Sequence, residues 1–300
     1  MSVLVIGNAV TDRSFRVDRL PRPGETMVAL DSRVDCGGKG FNQAVCAARA
    51  GACVTLQTSV GDDAAGHAIL AALTKEFISL PTDPLRPGPT DEAVVLVLPD
   101  GENAIVCSTH AAMHSDHHPG LAAVRQFGGG GWLVCQGNLE RATTAETLAC
   151  ARNNNLHTLV NPSPQLFDYA GLWPLIDVVI VNLPECKSLS GLDDCDEAAG
   201  LLMAKGCRTL VVTTGQEGAR LYRAGHAAAF IVPAPASDVD VIDTTGAGDT
   251  CCGVLVAGLD QGLNIEVALA WGVRAAAITV GRWGSLAALP SREQLAGMRK

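Results

Sequence analysis

The chain has 300 residues and a formal net charge of −9, with 48% hydrophobic and 18% charged residues. These figures exclude a disordered chain, and the acidic balance argues against a nucleic-acid backbone or an anionic membrane as main partner. A small anionic ligand stays open, because backbone amides bind phosphate without any positive side chain. Aromatic residues make up only 4%, so Ala, Val, Leu and Ile must fill the core, which suits helices packed on a parallel sheet. No apolar run reaches the ~18–20 residues that span a bilayer. The eleven cysteines are scattered and form no CxxC pair, which predicts reduced thiols and a cytoplasmic protein.

The start, "MSVLVIGNAVTDR", has no basic region before its short apolar run, so it reads as a strand over Val3–Ile6 and not as a signal peptide. Phe15–Asp35 is β-rich with Pro and Gly turns. A helix is predicted near Gly40–Ala50, a strand at Val54–Val60 and a helix at Ala64–Phe77. Ala93–Ser108 reads as a hairpin around "PDGEN", where Asp-Gly signals a tight turn. "HAAMHSDHH" (His110, His114, Asp116, His117, His118) has ligand-like spacing but follows the hairpin and is polar, so a solvated loop is expected. Strands then recur at Trp132–Cys135, Thr158–Val160, Val178–Val181 and Leu210–Thr213, with helices at Thr143–Asn153, Pro184–Ser190 and Glu197–Lys205. The end is a loop from Ile242, two apolar helices to Val280, the loop "GRWGSLAALP" and a short helix. This alternation predicts an α/β fold with a central, mostly parallel sheet and helices on both faces. With no linker or repeat, residues 1–300 read as one domain with a small β-flap over about 13–36 and 93–108.

"IDTTGAGDTCCG", Ile242–Gly253, is the most informative loop. It lacks the third glycine of a dinucleotide turn, and no Walker A string occurs in the chain. Gly246, Ala247 and Gly248 are small enough to leave their N–H groups open at a helix start, a concave donor site for negative charge. Asp249 stands in the first helical turn beside it. An acid there can take a proton from a hydroxyl while the amides hold charge on a transferred phosphoryl group; it can also simply cap the helix. A second segment, "DCGGKGFNQAVCAARAGA", surrounds Lys39 with Gly37, Gly38 and Gly40 and puts Asn42 at a helix start. Asp12 lies just past the first strand, at the carboxyl end where open α/β sheets bind ligands. Arg13 beside it reads as a surface charge. Cys251 and Cys252 read as core packing in a helix apolar all round.

"GGKGFNQAVCAARAGA" and "DTTGAGDTCCG", about 200 residues apart and in that order, resemble the two signatures of the ribokinase-like (PfkB) carbohydrate kinases. "VNPSPQ" (Val160–Gln165), "VNLPE" (Val181–Glu185) and "TTGQEGA" (Thr213–Ala219) are similar to further family elements in family order. The resemblance implies a three-layer ribokinase-like fold and phosphorylation of a sugar hydroxyl with ATP and Mg²⁺. It implies Asp249 as general base and the Gly246–Gly248 amides as anion hole. Asp12, Gly38, Lys39, Asn42 and Asn138 match sugar-side positions, Asn182 and Glu185 the Mg²⁺ and phosphate element, and Thr213, Gly215 and Gly218 the nucleotide side. Asp243, Thr245, Thr279, Arg282 and Gly284 match positions that hold a monovalent cation in members activated by potassium. The flap matches a lid over the sugar, and a homodimer through that lid is the family-level expectation.

Departures bear on the substrate. Ribokinases carry Asn two residues before the first-strand Asp, where this chain has Val10, and they read Q-x-E where this chain has "QGN" with Asn138. One ribose contact is lost, which opens the substrate to a deoxy-sugar. Ala288 stands where a hydroxyl often helps bind the cation, which weakens the potassium expectation. A nucleoside kinase, a sugar-phosphate kinase and a non-catalytic binding regulator are the competing readings. The second lacks the basic residues a substrate phosphate needs, and the third has no use for Asp249.

Overall fold

In the computed structural model, all residues are described except 1, 114–116, 227, 236–239 and 300. In chain order the first half gives β1 (Val3–Ile6), β2 (Val10–Arg16), β3 (Asp31–Gly37), α1 (Lys39–Arg49), β4 (Val54–Gln57), β5 (Val60–Gly61), α2 (Ala64–Lys75), β6 (Leu85–Arg86), β7 (Glu92–Val97), β8 (Asn103–Cys107), α3 (His110–Met113), α4 (His117–Phe127) and β9 (Trp132–Gln136). The second half gives α5 (Arg141–Asn153), β10 (His157–Asn161), β11 (Val178–Asn182), α6 (Leu183–Ser190), α7 (Cys195–Ala204), β12 (Thr209–Thr213), β13 (Ala219–Arg223), β14 (Phe230–Val232), α8 (Ala247–Asp260), α9 (Ile265–Val280) and α10 (Arg292–Met298).

The main sheet runs β14-β13-β12-β11-β10-β9-β1-β4, parallel from β4 to β12, with β13 and β14 antiparallel at one edge. Because β1 alternates, Val3 and Val5 enter one core with α1, α8 and α9. Leu4 and Ile6 enter the other with α4, α5 and α7. Val254 and Leu255 of α8 are wholly buried, each contributing about 2 kcal/mol relative to exposure. Their burial anchors the helix whose first turn carries Asp249.

The flap is a second sheet, β3-β2-β7-β8. Three expectations need correcting. The flap starts at Val10, since Val10 pairs with Gly37 and Asp12 with Asp35; Asp12 therefore lies within a flap strand and not after a main-sheet strand. Residues 18–30 between β2 and β3 are irregular, because their prolines cannot donate to a ladder. The histidine segment is largely helical: α3 and α4 flank 114–116, with Ala111 and Ala112 buried. His114 and Asp116 lie outside the described residues, and among the described residues no cluster of His, Cys, Asp or Glu is placed to hold a metal. Cys251 and Cys252 are core residues, as expected. No helix among the described residues is long and apolar enough to cross a membrane.

Candidate active site

α1 and α8 both begin on glycines that only a residue without Cβ adopts at ease: Gly38 (φ +98°) caps α1 and Gly246 (φ +76°) caps α8. The two helices touch at Gly253, where a Cβ would lie 2.5 Å from the Gln43 carbonyl oxygen. That contact brings two sequence signatures, over 200 residues apart, to one corner. The amides of Gly246, Gly248 and Asp249 donate to no backbone carbonyl among the described residues, while that of Ala247 leans on the Thr244 carbonyl at 3.3 Å. Three open donors thus remain at the α8 start, on Gly246, Gly248 and Asp249, where the sequence implies Gly246, Ala247 and Gly248.

Asp249 is buried (7% exposed). Its Oδ2 accepts from Asn42 Nδ2 at 3.2 Å and its Oδ1 from Gln43 Nε2 at 2.9 Å. Lys39 Nζ lies 3.9 Å from Oδ1. Burial pulls the Lys39 ammonium towards neutrality, but Asp249 and Glu185 outweigh it, and the net shift is upward. Lys39 therefore stays a cation between those carboxylates. Asn42 gives one of its two amide hydrogens to Asp249, and its buried Oδ1 has no partner among the described residues. It offers a ligand that acceptor and the second hydrogen of its amide nitrogen.

Gln43 is the residue that sequence reasoning passed over. The signal was present: Lys39, Asn42 and Gln43 stand at i, i+3 and i+4, which puts all three on one helix face.

Asp12 is 5% exposed and accepts from the Ser285 hydroxyl. Burial raises its carboxyl to about 6, against the Ser285 hydrogen bond and with help from Asp35, Asp249 and Asp243. Asn138 is 1% exposed, and neither amide atom has a partner among the described residues. Val10 is equally buried and presents no polar side-chain atom there. Arg13 pairs with Glu92 at 2.8 Å on the exposed face of the flap, the expected surface charge.

Two loops close over this corner. Asp243, wholly buried, accepts from Thr245 N at 2.9 Å and Gly284 N at 3.2 Å, which ties the 243–245 and 279–285 loops together. Thr279 Oγ1 pairs with Thr250 Oγ1 at 2.8 Å, and the Arg282 amide turns back onto the Thr279 carbonyl. The flap reaches in through Asn103 Nδ2, which donates to Thr244 and Thr245 hydroxyls at 3.2 and 3.0 Å.

Across the cleft, Asn182 and Glu185 form a capping box on α6, each side chain accepting from the other's amide at 2.8 and 3.0 Å. Thr213, Gly215 and Gly218 form the tight turn from β12 to β13, with the Thr214 amide on the Gly218 carbonyl at 2.8 Å.

A buried acid beside open helix-start amides, on an α/β sheet with a flap, is an arrangement that can serve phosphoryl transfer to a small hydroxyl compound. The chain belongs to the pfkB family of carbohydrate kinases, which it matches over residues 1–292. It is similar to the ribokinase of Bacillus subtilis (32% identical, covering 98% of each chain) and that of Haemophilus influenzae (30%, covering 98% of this chain and 96% of the relative). It is also similar to a deoxyribokinase of Salmonella typhimurium (28%, covering 98% and 97%). Among solved structures it resembles Thermotoga maritima ribokinase (27%, TM-score 0.84, covering 99% and 98%). It likewise resembles Cryptococcus neoformans ribokinase in complex with ADP (28%, TM-score 0.84, covering 99% of each).

Proposed function

We propose that this carbohydrate kinase transfers the γ-phosphoryl group of ATP to a hydroxyl of a small pentose of ribose or deoxyribose type, with Asp249 as general base. The observation that carries the reading is the buried Asp249 carboxylate, held by donors from α1 beside the open amides of α8. The sugar O–H gives its proton to Asp249 as its oxygen bonds to the γ-phosphorus, and the bond from phosphorus to the leaving ADP oxygen breaks. The Gly246–Gly248 amides and Lys39 receive the charge that builds on the phosphoryl oxygens. Asp12, Gly38, Asn42 and Asn138 line the sugar side. A sugar hydroxyl satisfies the otherwise unpaired Asn138 amide and Asn42 Oδ1, groups that cost about 1–3 kcal/mol each when left buried without a partner. Apolar Val10 favours a sugar that lacks one ribose hydroxyl.

Thr213, Gly215 and Gly218 form the nucleotide side. One partly exposed carboxylate with an adjacent amide, next to ATP phosphates, is an ordinary donor set for a hydrated Mg²⁺; Asn182 and Glu185 are the residues that fit it. When bound, the ion supplies charge neutralisation on the phosphates.

The flap excludes water from the reaction, and residues 1–300 act as one kinase unit. The outer face of the flap carries the cross-strand row Val34, Arg13, Val94 and Val106, with Val34 62% and Val106 77% exposed. The three valines, interrupted by the Arg13–Glu92 pair, favour a homodimer through the lid, which the sedimentation mass reads. The free cysteines suit a reducing cytoplasm.

ATP consumption measured with ribose, deoxyribose, fructose and nucleosides identifies the acceptor. Asp249→Asn is expected to leave both substrates bound and to lower kcat by ~10²–10⁴. Near-normal turnover in that variant overturns the assignment.

A further inference from the structure

The carboxylate assigned as base is oriented from outside its own loop. Gln43 Nε2 holds Asp249 Oδ1 at 2.9 Å, and Gln136 Nε2, at the end of β9, holds Gln43 Oε1 at 2.8 Å. Both glutamines are buried, at 1% and 0% exposure. This leaves a chain of two amides, Gln136 to Gln43 to Asp249, with every donor pointing towards the carboxylate. The direction matters, because an amide that turned its oxygen to Asp249 would repel the anion. Gln136 favours the observed orientation by donating to the Gln43 oxygen, while its own buried Oε1 has no partner among the described residues.

One glycine makes room for the Gln136 side chain and another for the Gln43 backbone. A Cβ on Gly7 would lie 1.7 Å from Gln136 Oε1, and one on Gly253 would lie 2.5 Å from the Gln43 carbonyl oxygen. Gly7 after β1 thus packs on the Gln136 side chain, and Gly253 of α8 on the backbone of α1 at Gln43.

We infer that Gln43 is a positioning residue for Asp249, and that Gln136 acts through it by fixing which end of the Gln43 amide meets the carboxylate. The inference rests on Asp249 being the base. Gln43 fixes Oδ1, while Oδ2, with the longer Asn42 contact of 3.2 Å, is the oxygen left to take the sugar proton. The other titratable groups acting on this carboxylate or acted on by it are Lys39 and Cys46 from α1, Cys252 from α8 and Asp12 from β2. All of them remain in the variants below.

The test is the pH dependence of kcat in Gln43→Leu, Gln43→Glu and Gln136→Leu, beside Asp249→Asn. Removing a donor from a carboxylate disfavours its charged form. Gln43→Leu is therefore expected to move the acid limb of the profile up by about half to one pH unit. Its kcat should fall about 10-fold or more at neutral pH, with both KM values within about twofold of wild type. Gln43→Glu adds a like charge and moves the limb further, and Gln136→Leu moves it less in the same direction. A folded Gln43→Leu enzyme with an unshifted limb overturns the inference. Should Gln43→Leu not fold, an unshifted limb in Gln136→Leu overturns it instead. An active Asp249→Asn enzyme removes the base reading itself. An inactive one beside an unshifted Gln43→Leu removes only the positioning role.

Discussion

The corner at the starts of α1 and α8 and the rim at the ends of β11 and β12 satisfy their polar groups in opposite ways. At the corner, Asp249 and Asp12 are buried and depend on partners 206–273 residues away in sequence: Gln43, Asn42 and Ser285. At the rim, Asn182 and Glu185 are partly exposed and satisfy each other within one helical turn. A buried charge needs dedicated partners, and removing one leaves the full desolvation cost. An exposed pair keeps water as a substitute and loses little. Chemistry at the corner should therefore be sensitive to single atoms, and the rim should tolerate change.

The largest effect outside Asp249 is expected at Asp12. Asp12→Asn removes the charged acceptor that a sugar hydroxyl needs, which should lower kcat/KM for the sugar by about 10²-fold with ATP binding unchanged. The pH dependence has a definite sign. The carboxyl of Asp12 is raised from 3.8 to about 6, chiefly by burial. A group raised on folding stabilises the fold fully below its unfolded value and loses that contribution as pH rises through the folded one. The free enzyme thus carries an unfavourable charge above pH 6. Asp12→Asn should be more stable than wild type at pH 7, by about 1–3 kcal/mol, with the gap closing near pH 4 in urea titrations. Sugar KM in the wild type should rise as pH falls through about 6, where the acceptor becomes protonated. A flat KM between pH 5 and 7 would place the sugar elsewhere.

At the rim a conservative change separates two roles. Glutamine closes a capping box as well as glutamate does, so Glu185→Gln should leave stability within about 0.5 kcal/mol of wild type. Without its charge, half-saturating Mg²⁺ should rise about 10-fold, since hydrated Mg²⁺ relies on one or two carboxylates beside the phosphates. An unchanged Mg²⁺ titration would reduce the pair to a helix cap. The same contrast explains what could be read in advance. The N-x-x-E element, the glycine turns and the main-sheet strands are local patterns of period 2, 3.6 or i, i+3 that lie where the sequence implies, except that the strand expected over Val54–Val60 ends at Gln57 and Val60 pairs with β6 instead. What could not be read was the pairing of distant groups: Gln43 with Gln136, Ser285 with Asp12, and Asn103 with the 244–245 hydroxyls. Asp12 itself was assigned to a strand end because nothing local shows that Val10 pairs with Gly37 and so begins the flap. The antiparallel edge, β13 and β14, was missed for a similar reason: its short strands acquire their identity only from pairing with β12.

The smallest effect is expected from potassium, and it extends the comparison to the 279–285 loop. A monovalent cation needs a ring of unclaimed oxygens, yet here most are claimed. Both Asp243 oxygens accept amides, the Thr279 carbonyl accepts the Gly281 and Arg282 amides, and the Thr279 hydroxyl pairs with Thr250. Ala288 brings no hydroxyl. Positive charge is also supplied by the chain itself: Arg33 Nη1 donates to the Trp283 carbonyl at 2.5 Å, and Arg16 and Arg33 lie 5.9 and 5.3 Å from the Trp283 ring centre. Each such cation–π contact is worth about 0.5–1 kcal/mol or more where water is excluded. Replacing K⁺ by choline at constant ionic strength should therefore change kcat by less than about twofold, within the range that screening alone produces. A tenfold activation would mean that the Arg282 and Gly284 carbonyls suffice for a cation. The loop would then be a site completed from solution, like the rim, and not one closed by distant partners, like the corner.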